Sequence, residues 1–184
     1  MIPRNSLQQL HDLDRASPQF HEQLSNFLRG NEYRNVFPKL QGEDFAWLIE
    51  YLDSVLVGIP DPTGSIFQEC LHELGKICRV REILPKSCTV SDSLLEIGLP
   101  STSGYAYDGA LDGSKVRIQR VRSYPEGDPQ EVKQTFHQVA ATWKRLTHRN
   151  IVPLLGVTID PLQLISDWMS GEDLMASTIS TPAT

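Results

Sequence analysis

Over residues 17–30 and 42–80 apolar side chains recur every three or four positions, whereas between residues 94 and 123 they fall into short alternating runs. The first spacing gathers side chains on one face of a helix, and the second gathers them on one face of a strand. Leu7, Leu10 and Leu13 form a weak amphipathic stretch over residues 6–15, ended by Ser17-Pro18. Ser17 as N-cap, Pro18 at the first helical position, Phe20, Leu24, Phe27 and Leu28 on one face and Gly30 past the end predict the next helix. Residues 31–41 keep no period and read as a connector. From Gly42 to Gly58 the stripe Phe45, Leu48, Leu52, Val55 and Leu56, widened by Trp47 and Tyr51, predicts another helix, with Glu43 and Asp44 suited to its N-terminal dipole. Ile66, Phe67, Cys70, Leu71, Leu74, Ile77 and Cys78 predict a further one to about Val80, and Ser65 with Gln68 fits a capping box.

Residues 84–92 shift to turn-formers and are the expected boundary. Residues 94–98, 104–111 and 115–123 read as strands, and Asp112-Gly113 between the last two is a strong hairpin signal. A Pro/Gly loop over 124–129 leads to a helix over 131–146, with Val132, Phe136, Val139, Ala140, Trp143 and Leu146 available for its buried side. Lys144, Arg145, His148 and Arg149 suit the C-terminal end of that helix, and the apolar run 151–157 reads as a buried strand. The order is therefore helices, three strands, a helix and two strands, an α+β fold.

A net charge of −6 and a pI near 5.3 argue against a general nucleic-acid binder, and residues 1–84, with eight basic and twelve acidic side chains, carry most of the excess. No apolar run reaches membrane-spanning length and the N-terminus lacks an apolar signal core. Cys70, Cys78 and Cys88 are an odd count, and the first two sit two helical turns apart, so reduced thiols in the cytosol are expected. No set of ligands at metal spacing accompanies them, and His11, His21 and His72 stand alone on helices. A cytoplasmic protein with no nucleic-acid or membrane partner is the expectation.

The wording Trp143-Lys144-Arg145-Leu146-Thr147-His148-Arg149-Asn150-Ile151-Val152-Pro153-Leu154-Leu155-Gly156-Val157, followed by Leu162-Gln163-Leu164-Ile165-Ser166-Asp167-Trp168-Met169 and Gly171-Glu172-Asp173-Leu174, resembles protein kinases. It is similar to the passage from the N-lobe helix through two strands to the hinge in the tyrosine-kinase-like enzymes abundant in mushroom-forming fungi. Beyond the helical module over 1–84 and the linker over 85–92 that the spacing predicts, the resemblance implies an incomplete kinase-like N-lobe over 93–174 and a tail over 175–184. That lobe would be a five-stranded antiparallel sheet plus one helix, behind an N-terminal helical bundle.

The resemblance also places a degenerate ATP site. Gly104 would be the third loop glycine, Leu99 and Ser101 would stand where the first two belong, and Ala106 would replace the valine. Val116-Arg117-Ile118-Gln119 would stand for Val-Ala-Ile-Lys, so that Gln119 replaces the phosphate-binding lysine and Val139 its partner glutamate. Alternation sets Arg117 on the face of Gln119, where it either fills the adenine position or swings out of it. Asp167 and Met169 would be hinge positions, and His148-Arg149-Asn150 precedes its strand and is not the catalytic His-Arg-Asp. The catalytic Asp and the Asp-Phe-Gly have no counterpart, so no catalytic residue, metal ligand or cofactor is expected, with ATP and magnesium required only if the family activity survives.

The implied function is a non-catalytic pseudokinase fragment acting by protein binding. The alternative is the N-terminal part of an ATP-dependent serine/threonine kinase whose C-lobe lies outside this sequence, and a third reading makes residues 93–170 an unrelated small α+β domain. A lobe without its C-lobe would leave apolar surface for a protein partner or self-association.

Overall fold

A computed structural model of the chain describes residues 17–30, 42–100, 106–121 and 128–169. Among them, helices α1 (Pro18–Arg29), α2 (Gly42–Gly58) and α3 (Ser65–Arg81) precede strands β1 (Leu95–Pro100), β2 (Ala106–Leu111) and β3 (Ser114–Arg120). Helix α4 (Pro129–Trp143) and strands β4 (Leu154–Ile159) and β5 (Leu162–Asp167) complete an α+β chain. The stretch 6–15, the connector 31–41, Gly104, residues 122–127 from the expected strand end and loop, and the tail lie outside the described residues.

The helical stripes bury as their spacing requires, except that Trp47, expected to widen the second, is exposed. Leu24 and Leu28 of α1, Phe45, Leu48, Leu52, Val55 and Leu56 of α2, and Phe67, Cys70, Leu74 and Ile77 of α3 share one core. A side chain of this size gains about 1.5–3 kcal/mol on full burial, so this cluster holds the three helices together. The capping box expected at Ser65 does not form. Gly64 is the N-cap, and the Gln68 side chain instead donates to the Pro62 carbonyl at 3.2 Å. Asp61 takes up the preceding turn by accepting from the backbone N–H and the hydroxyl of Thr63.

The five strands form one antiparallel sheet in the order β1-β2-β3-β5-β4. Asp112 and Gly113, with φ of 50° and 75°, make the two-residue turn that pairs Leu111 with Ser114. One sheet face meets Phe136, Ala140 and Trp143 of α4 through Leu154, Val157, Leu162 and Leu164. The other face buries Val116, Ile118 and Ile165 beneath Val90, Leu95 and Leu155.

The segment expected as a linker packs against both halves. Pro85 and Cys88 are buried, the Lys86 N–H donates to Glu50 of α2 at 2.8 Å, and the Val90 N–H donates to the Val157 carbonyl at 3.0 Å. Several boundaries also move. α4 starts at Pro129, because Asp128 caps it by accepting from the Gln130 N–H at 2.9 Å, and β4 starts only at Leu154, after Pro153.

Strands β1 and β2 approach closely at Gly109, where an added Cβ would lie 2.4 Å from the Glu96 carbonyl oxygen and 2.6 Å from Ile118 Cδ1. Gly109→Ala is therefore expected to lower stability by about 1–3 kcal/mol, the usual cost of overpacking. A shift of the urea midpoint at constant slope checks it, and an unchanged midpoint would mean that the strand pair yields freely.

Candidate functional site

Residues directly opposed in an antiparallel pair share a face. Ala106 opposes Gln119, Asp108 opposes Arg117, Arg117 opposes Ser166 and Gln119 opposes Leu164. Leu164 packs with α4, so Ala106, Arg117 and Gln119 are gathered on the α4 side of the sheet. Asp167 opposes Val116, which places it on the other face, at the exposed end of β5. Its carboxylate accepts from the Trp168 N–H at 2.9 Å, and Met169 beyond it is 59% exposed. Three of the expected site positions therefore come together, Asp167 does not join them on that face, and Met169 lies past the end of β5.

Arg117 is half-buried, and its Nη1 donates to Asp108 Oδ1 at 2.8 Å. Of the two placements open to it, the side chain takes the one across β2. The pair is more than a third exposed at both ends and contributes little to stability, but it engages the guanidinium with a carboxylate. Lys115, on the same face, lies 3.5 Å from the centre of the Trp168 ring, a cation–π distance. Gln119 is exposed and offers a neutral amide. Arg117 and Lys115 thus each have a partner within the fold, and Gln119 beside them carries no charge.

Helix α4 does not supply a carboxylate toward β3. Val139, expected on its buried side, is 40% exposed, while His137 is buried instead. His137 Nδ1 lies 2.7 Å from the Lys133 carbonyl oxygen, which can only accept, so Nδ1 carries the proton. Its ring stands edge-on to Phe136 at 5.7 Å. His148 Nδ1 accepts from the Asn150 N–H at 3.1 Å, which makes 148–150 a local turn.

The three thiols are not poised as nucleophiles. Burial pushes the Cys70 thiol up to about 12 and the Cys88 thiol to about 11, and raises Cys78 as well, so none is a thiolate at neutral pH. Burial lowers the Lys144 ammonium, which donates to the Leu155 carbonyl at 2.6 Å. No group of three or more His, Cys, Asp or Glu side chains suited to a metal occurs among the described residues. Among those residues, too, no helix is long and apolar enough to cross a membrane.

Two features were missed in the sequence. Asp108 was legible, because it lies four residues before Asp112 as Arg117 lies four after Gly113, and a two-residue turn makes those positions partners. The contact of Arg145 with Asp53, 92 residues apart, carries no local signal. Compared with known proteins, the chain matches no protein-family model and no curated protein.

Proposed function

We propose that this chain is a protein-kinase-like N-lobe preceded by helices, that it does not transfer phosphate, and that it acts by binding protein. The reading is supported by the sheet order, by the helix between the third and fourth strands, and by the kinase-like wording over 143–174. The observation that carries the loss of activity is the α4-side face of β3. Gln119 stands where a lysine would offset phosphate charge, and the neighbouring cation, Arg117, is engaged by Asp108. Electrostatic stabilisation is the main lever of phosphoryl transfer, and a neutral amide supplies hydrogen bonds without the charge. Val139 is no acid either, so the two replacements are mutually consistent: with both charges gone, neither is left without its partner.

Binding is supported by the sheet edge. β1 is an outer strand, and on it Ile97 is 52% and Leu99 82% exposed, with Leu94 beside them 49% exposed. Exposed apolar residues on an edge strand favour pairing with another chain. Two assays test the reading. With ATP and magnesium, phosphate incorporation into casein or myelin basic protein is expected to stay at the buffer blank, and turnover abolished by Gln119→Ala would defeat it. In light scattering across a concentration series the mean mass is expected to rise, and Ile97→Lys with Leu99→Lys should suppress the rise. A monomer at every concentration would remove self-association as the binding mode.

A further inference from the structure

Helix α4 is held on two sides. One side lies on the sheet through Phe136, Ala140 and Trp143, and the other lies on α3. Gly75 of α3 faces Gln138 and Thr142, while Arg79, one turn later, donates to Thr135 and Gln138, so the two helices run antiparallel. Their approach is close: a Cβ on Gly75 would stand 2.9 Å from Thr142 Oγ1. Past the end of α3, Glu82 accepts from Lys133 at 2.7 Å and from the Gln130 side chain.

The far end of α4 is fastened by charge. Arg145 Nε donates to Asp53 Oδ1 at 2.6 Å, its Nη2 donates to Asp53 Oδ2, and the same Nη2 donates to Ser87 Oγ at 2.6 Å. Ser87 in turn donates to Asp53 Oδ2 at 2.7 Å. Asp53 is 5% exposed and belongs to α2, and Ser87 belongs to the segment that joins helices to sheet. Two parts of the chain therefore converge on one arginine just past the end of α4, and Asp53 meets it in the planar two-pronged geometry that a guanidinium offers a carboxylate.

We propose that α2 and α3 act as an intramolecular clamp on α4, with Asp53, Ser87 and Arg145 as its lock. The position of α4 on the sheet is then set by the helices that precede the sheet, and the outer side of α4 is filled from within the chain. A partner that must reach that side can do so only by displacing α3.

Two independent perturbations of the full chain test the clamp. Gly75→Ala should lower the denaturation midpoint, although alanine is the better helix former, and Thr142→Ala should relieve that loss in the double variant. A raised midpoint in Gly75→Ala, or no coupling with Thr142→Ala, would overturn the close approach. Asp53→Asn, which keeps the shape and removes the charge, should speed amide hydrogen exchange in α4 by about tenfold and by the same factor in α3. Faster exchange in α2 and α3 with α4 unchanged would show that α4 is held by the sheet alone and would overturn the proposal.

Discussion

Arg145→Met is expected to lower the free energy of unfolding by about 3–5 kcal/mol, because it leaves the Asp53 carboxylate buried without its counter-charge. Side-chain exposures of 14% and 6% mean that water cannot replace the lost partner. Ser87 would keep one hydrogen bond to Asp53 and could not supply charge. The size matters against a total stability of about 5–15 kcal/mol for a domain. The control is the double variant Asp53→Leu with Arg145→Met, which removes both charges and should recover most of the loss. Urea unfolding of the two single variants and the double closes the cycle. A single variant within about 0.5 kcal/mol of the parent, the range of ordinary surface changes, would mean that the pair is solvated after all.

Residues 85–184 produced without the helices before them are expected to show no cooperative thermal transition. Ala141 of α4 is fully buried in the helical core, and Leu84 and Leu146 pack against that core. Removing α1–α3 would bare that side of α4, strip Arg145 of Asp53 and free the Lys86 N–H from Glu50. Circular dichroism during heating, with an apolar dye as a second probe, distinguishes the outcomes. A sharp transition without dye binding would show that sheet and α4 stand alone, with the helices as a separable module.

What could be read in the sequence was whatever one element determines by itself. Leu24 and Leu28, or Leu48, Leu52 and Val55, bury where their spacing says, since each helix turns one stripe to a common core. The hairpin at Asp112-Gly113 set its own register, and with it the shared face of Ala106, Arg117 and Gln119. Helix α4 resisted the same reading because it is covered from two directions. Its buried residues Phe136, His137, Ala140 and Ala141 span a wide arc, which hides a polar His137 inside and leaves Val139 outside. Residues 85–92 misled for a related reason. Turn-formers mark where regular structure stops, but Pro85, Cys88 and Val90 still find buried neighbours and hydrogen bonds in elements far along the chain.

The measurement that bears most directly on the proposed function is calorimetric titration of the full chain with magnesium-ATP. No binding heat is expected up to millimolar nucleotide, an affinity weaker than about −4 kcal/mol. Arg117 is held to Asp108, and Gln119 with Val139 provides no charge for the phosphates. Gln119→Lys with Val139→Glu should bring binding into range if the missing charge dominates, whereas Arg117→Ala should do so if the guanidinium obstructs the base. Micromolar binding of magnesium-ATP by the unmodified chain would contradict this assignment of the β3 face and return the protein to the catalytic reading.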